Sequence, residues 1–178
     1  TDMTACSDFK DSGSLMLIKV WAQLAETLQG KGRGPCVLSG SYLDADKAIS
    51  LATQTKDPNY KKLAHDLHSA RLVLYYLNGE YREAEKEISQ FKGQGDGPTH
   101  FKSLLNQVFG ALNCYALARK TQKIKTYSKL AEPFARRWML LHANCPSSNS
   151  KAMVALLKAE KRAVQRDPVA GEYYSKAI

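Results

Sequence analysis

Apolar residues recur three and four positions apart along most of the chain, and no run rich in Val, Ile and Thr alternates with a period of two. That spacing predicts helices throughout. The first spans about residues 14 to 29, with Leu15, Leu17, Ile18, Trp21, Leu24 and Leu28 as its apolar stripe. The glycine-rich Gly30–Pro35 stops it, and a second helix follows with Tyr42, Ala45, Ile49 and Ala52 at helical spacing. Asp57 before Pro58 is a start signal, since aspartate accepts orphan amide hydrogens and proline at the first helical position loses no bond. A longer helix then runs from Pro58 to Tyr76, with Leu63, Leu67, Ala70, Leu74 and Leu77 close to one face.

Asn78-Gly79 interrupts this helix, and the next extends from about Glu80 to Phe91, packed through Tyr81, Ala84 and Ile88. Clustered glycines make Gly93–Thr99 a loop. Another helix covers about His100 to Lys120, with Leu104, Leu105, Val108, Leu112, Tyr115 and Leu117 as candidate buried residues. A join near Gln122 leads to a helix ending near Leu141, with Pro133 in or near its first turns. His142–Ser150 is polar, with Asn149 or Ser150 as the cap of a helix running to about Arg166; Asp167-Pro168 repeats the earlier start signal. Amphipathic helices bury their stripes by pairing, so four hairpins are expected, at about 14–54, 58–92, 99–141 and 149–178.

One pattern occurs twice. GSYLDADKAIS, from Gly40 to Ser50, returns as GEYREAEKEIS, from Gly79 to Ser89. With its preceding helix, the second copy resembles a tetratricopeptide repeat: Tyr75 and Tyr81 stand at the aromatic sites, Gly79 at the inter-helix glycine, Ala84 at the small close-approach site and Ile88 at the next large apolar site. The first copy carries Gly40, Tyr42, Ala45 and Ile49 there, and the chain end is similar through Ala170, Tyr174, Ala177 and Ile178. The interval from Gly40 to Gly79 is 39 residues, longer than the roughly 34-residue repeat, which longer helices and a loop accommodate. The resemblance implies an all-α, right-handed, solenoid-like stack of about four antiparallel helix pairs. These repeat positions are then the ones that set inter-helix packing.

From near His100, the order Trp138, Ala143-Asn144-Cys145-Pro146, Ala159-Glu160, Arg166 and Tyr174-x-x-Ala177-Ile178 is similar to helical repeat regions of large signalling proteins. Those proteins join protein-kinase, nucleotide-binding ATPase and histidine-kinase modules. The usual histidine after the join is replaced by Ser148–Lys151. This likeness covers less than half the chain and implies a regulatory or scaffolding segment without inherited catalysis.

Charge narrows the choice of partner. The net charge is +9, and residues 99–178 hold 14 basic side chains against 4 acidic ones. The candidate interaction surface is Arg119, Lys120, Lys123, Lys125, Lys129, Arg136, Arg137, Lys158, Lys161, Arg162 and Arg166. Such a surface steers acidic ligands. Tyr115, Tyr127 and Trp138 lie among these cations, so a nucleic-acid surface combining phosphate contacts with base stacking is the alternative to a protein partner.

Other chemistry is weakly marked. Cys6, Cys36, Cys114 and Cys145 form no close pair, and the spacing suits a reducing compartment better than a zinc or redox motif. GKGRGPC lacks the Lys-Ser or Lys-Thr and the preceding strand of a phosphate loop. GQGDGPT lacks a calcium loop's ligands. His65 and His68 are three apart but lack further ligands, and His100 and His142 fall at expected, solvent-exposed loop boundaries. The carboxylates Glu80, Glu83, Glu85 and Glu87 suit the opening turns of a helix. The reading is of an amino-terminal tail at 1–13 and one helical-repeat domain at 14–178, a fragment of a longer chain. It has no catalytic residue, metal or cofactor and no membrane insertion, an intracellular location, cytoplasmic or nuclear, and another protein or domain as partner.

Overall fold

The computed structural model describes residues 13–55, 57–90 and 101–178. The expected tail before Gly13, Cys6, the loop Gly93–Thr99, Phe91 and His100 lie outside the described residues. Those described form eight helices: α1 Gly13–Leu28, α2 Ala45–Gln54, α3 Pro58–Leu77, α4 Tyr81–Ser89, α5 Phe101–Thr121, α6 Ile124–Asn144, α7 Ser148–Val164 and α8 Ala170–Ala177. Among them the only extended pairing is a single bridge between Ser39 and Asp44. The chain divides into two compact units, ending and beginning at Asn78 and Gly79. Gly79, expected as the turn of a hairpin, stands at that division with φ 78°.

In the first unit α1 and α2 each pack chiefly on α3. The expected α1–α2 hairpin is therefore replaced by two helices sharing a third. α3 is buried on several sides, through Leu63, Leu67, Ala70, Leu72, Val73 and Leu74. It starts as expected, Asp57 accepting from the Asn59 amide at 2.8 Å with Pro58 in the first turn. The stripe expected on α1 is rotated. Met16, Val20, Gln23, Leu24 and Thr27 are buried, while Leu15, Ile18 and Leu28 are exposed. The buried side combines the apolar Met16, Val20 and Leu24 with Gln23, which together with Glu26 holds the turn before α2.

That turn explains the first motif copy. Ser41 donates from its amide to Glu26 at 3.1 Å and from its hydroxyl at 2.6 Å, and the Tyr42 amide donates to Gln23 Oε1 at 3.0 Å. A Cβ on Gly40 would lie 2.6 Å from both Gln23 Nε2 and Glu26 Oε2. Asp44 accepts from the Lys47 amide and starts α2 at Ala45. Tyr42 thus falls in the turn and is 51% exposed, so it does not fill the helix interface expected of it. Ala45 and Ala52 are buried and Ile49 is half-buried.

In the second unit α5 packs against α4, α6 and α7, while α6 packs on α7 and α7 on α8. Two expected hairpins, α5 with α6 and α7 with α8, are present. Small residues permit the first: Ala111, Ala118, Ala131 and Ala135 are buried, and a Cβ on Gly110 would come within 3.1 Å of the Phe134 ring. Pro133 lies in the middle of α6, not in its first turns. It is solvent-exposed, where water replaces the amide it cannot offer to the preceding turn. The cap of α7 is Ser147, with Ser150 completing a capping box, in place of Asn149 or Ser150 as cap.

The second copy starts differently. α4 begins at Tyr81 with no side-chain cap on Glu80. Asn113 of α5 donates to the Tyr81 carbonyl at 3.1 Å, and Ala84 and Ile88 are buried toward the core. Tyr75, Tyr81, Tyr174 and Ala177 are half-buried, and Ala170 is buried.

Candidate functional site

The eleven expected cations separate into two groups. Arg119 donates to Glu160, a largely buried carboxylate of α7 that also accepts from the Tyr174 hydroxyl at 2.8 Å. Lys161 pairs with Glu132 across α6 and α7 at 3.1 Å, Arg162 with Asp167, and Lys120 lies over the Tyr81 ring at 5.7 Å. These four tie the second unit together. Arg166, at φ 57°, takes the left-handed position after α7, where Arg166 and Asp167 amides donate back to Ala163 and Arg162 carbonyls.

The cations without acidic partners among the described residues concentrate on α6 and at Lys123 just before it. Lys123, Lys125, Lys129, Arg136 and Arg137 are exposed, and none has an acidic partner among the described residues. Lys125, Lys129 and Arg136 are spaced by four and seven residues, which sets them along one side of the helix over about 16 Å. Arg137 follows Leu130 by seven and shares its side. Leu130 and Leu140 are 45% and 54% exposed. The helix's only acid, Glu132, is occupied by Lys161. Lys158 on α7 is also exposed and has no acidic partner among the described residues.

The aromatics do not join this surface. Tyr115, Tyr127 and Trp138 are all buried, and Tyr127 accepts from Arg82 at 2.6 Å. They are core residues, so the stacking platform expected for nucleic acid is absent from the basic face of α6.

Beside that face lies a groove of about 470 Å³, walled by Glu85, Lys86, Ile88 and Ser89 of α4 and by Leu130 and Phe134 of α6, with Cys114 of α5 at its floor. Burial pushes the Cys114 thiol up to about 12. At neutral pH it is a protonated apolar surface, not a nucleophile.

One pair has the outline of a nucleophile and base: His142 Nδ1 lies 2.7 Å from Ser150 Oγ. His142 is half-buried, not the exposed loop residue expected. Ser150 is itself buried and its hydroxyl accepts from the Ser147 amide at 2.9 Å, which makes the pair a reinforced helix cap. His65 and Asp66 are buried in α3, and no cluster of three metal-ligating side chains occurs among the described residues. GKGRGPC is a packed connection: a Cβ on Gly32 would lie 2.9 Å from Thr27 Oγ1, and Asn78 donates to the Pro35 carbonyl at 2.9 Å. No helix of the described residues is long and apolar enough to cross a membrane.

Comparison with protein-family models, curated proteins and solved structures gives no match.

Proposed function

We infer that the chain is a non-catalytic protein-interaction or scaffold module whose second unit presents α6 to an acidic peptide or neighbouring domain. The observation that carries this is the set Lys125, Lys129, Arg136 and Arg137, without acidic partners among the described residues, on a helix whose single acid is already engaged. Cations left without internal partners keep their full potential for a ligand. Exposed Leu130 and Leu140 among them add apolar contact that a phosphate backbone would not use. The burial of Tyr115, Tyr127 and Trp138 weighs against the basic nucleic-acid-binding alternative.

The finer architecture behind this reading is a tetratricopeptide-like, right-handed stack. The α5–α6 and α7–α8 pairs and the buried Ala84, Ile88 and Ala170 support it. Among the described residues the thiols of Cys114 and Cys145 are unbridged, which accords with an intracellular setting.

Titration of labelled polyglutamate and labelled single-stranded RNA at rising salt tests the function. Saturable polyglutamate binding, weakened about tenfold or more by combined Lys125→Glu, Lys129→Glu and Arg136→Glu, is expected. Tighter binding of RNA with a steep salt slope would transfer the face to nucleic acid.

A further inference from the structure

We propose that the groove between α4 and α6 receives the apolar stripe of an acidic amphipathic helix, with Leu130 and Phe134 as the wall it packs against. This rests on the acidic-partner reading above and adds what the partner must look like.

The groove is large enough to be selective. Its volume of about 470 Å³ falls in the ordinary range for binding pockets, about 300–1,000 Å³. Ile88, Cys114, Leu130 and Phe134 make it mostly apolar, and Cys114 keeps its proton there. Leu130 is 45% exposed, an apolar contact that nothing among the described residues covers further.

The two walls differ in how their charges are engaged, and the difference orients the ligand. On α4, the lining Glu85 pairs with Arg82 at 2.9 Å and the lining Lys86 with Glu83 at 2.6 Å. Both charges of that wall are internally satisfied. On α6 the lining is apolar, Leu130 and Phe134, and Arg137 stands at its rim on the side of Leu130, without an acidic partner among the described residues. Lys129 and Arg136 lie farther round the helix, outside the groove. A ligand seated in the groove therefore meets an apolar floor, a self-paired wall and a cationic rim. A helix with leucine-like residues three and four apart and carboxylates flanking them satisfies all three. A uniformly acidic chain would satisfy only the rim, and an apolar helix only the floor.

Three synthetic probes, each about five helical turns long, separate these cases by fluorescence anisotropy. They are a peptide with Leu at helical spacing and Glu elsewhere, the same composition scrambled to remove the stripe, and polyglutamate. The striped peptide should bind about tenfold tighter than the other two. Leu130→Gln, which adds no charge, should remove that advantage and bring the striped peptide to the affinity of the other two, and Arg137→Glu should weaken the striped peptide without unfolding the exposed helix surface. Circular dichroism of both variants confirms the fold.

Equal binding of all three probes would overturn the groove inference and leave the acidic-partner function standing. Binding of none would remove both. A concentration-dependent dimer dissolved by Leu130→Gln would identify a second copy of the chain as occupant and likewise overturn the proposal.

Discussion

Gly40 and Gly79 open the same eleven-residue pattern and are glycines for different reasons. Gly40 stands in a turn where Gln23 and Glu26 approach so closely that a Cβ would meet both at 2.6 Å. Gly79 has open space around the position of a Cβ, but its φ of 78° lies in the left-handed region. The first is fixed by what packs against it, the second by its backbone. The helices that follow differ in the same way: α2 is started by Asp44, whereas α4 is placed by its contacts with α5. Identical spacing thus encodes a polar latch in one unit and an apolar seat in the other.

The largest expected expression of this difference is at the extremes of pH. In the first unit, the Ser41 hydroxyl bound to Glu26 and the Lys47 amide bound to Asp44 hold both carboxyls below their ordinary values. Their contribution is complete above about pH 4.5 and is lost as pH falls through the depressed folded values. In the second unit, burial raises the Tyr115 and Tyr174 phenols to about 12, Tyr174 aided by its bond to Glu160. Their contribution is complete below about pH 10 and is lost as pH rises toward 12. For fully buried Tyr115 this amounts to about 2–3 kcal/mol.

The two tryptophans, Trp21 and Trp138, fall one in each unit and report them separately by fluorescence once the other is changed to Phe. The Trp138 signal should show a falling urea midpoint between about pH 10 and 12, and Tyr115→Phe should flatten that fall. Asp167, held low by the Val169 amide, gives the second unit some acid sensitivity too, so the alkaline limb is the discriminating one. A flat alkaline limb in the parent chain would erase the contrast.

Glycine replacement comes next in size. Gly40→Ala should displace Gln23 and Glu26 and cost about 1–3 kcal/mol, as overpacking of a fitted site does. Gly79→Ala should cost about 1–2 kcal/mol by forcing a side chain into the left-handed region. Asparagine separates the two causes, because it tolerates that region but is larger than alanine. Gly79→Asn should recover much of the alanine loss, and Gly40→Asn should deepen it. Recovery at both positions, measured by urea unfolding, would mean that backbone conformation governs both.

The helices were legible from sequence because their signals are local. Asp57-Pro58 starts α3 and the spacing of Leu63, Leu67, Ala70 and Leu74 marks its buried side. What decides faces and partners is not local. Gln23 looks like a solvent residue of α1, but it is buried and accepts from the Tyr42 amide, 19 positions on. Charge runs hid the same distinction in the candidate site. Arg119 and Lys129 read alike in sequence, but Arg119 is taken by Glu160, 41 positions away, and Lys129 is not taken. Tyr115, Tyr127 and Trp138 fit either a core or a stacking surface by spacing alone, and the choice rests on which side of α5 and α6 the small residues Gly110, Ala111, Ala131 and Ala135 bring together.

The smallest effect tests the helix starts directly. Asp44 has extended backbone, φ −114° and ψ 109°, and accepts from the Lys47 amide at 3.1 Å, the geometry in which a cap acts. Asp44→Ala should therefore cost about 1 kcal/mol. Glu80 has φ −82° and ψ 56° and caps nothing with its side chain, so Glu80→Ala should stay within about 0.5 kcal/mol of the parent. Installing a cap there as Glu80→Ser should return less than Asp44→Ala removes, because the backbone at Glu80 does not aim a short hydroxyl at the first amides of α4. Equal losses at Asp44 and Glu80 in urea unfolding would mean that the two copies begin their helices alike, and the different roles of Gly40 and Gly79 would then concern the turns only.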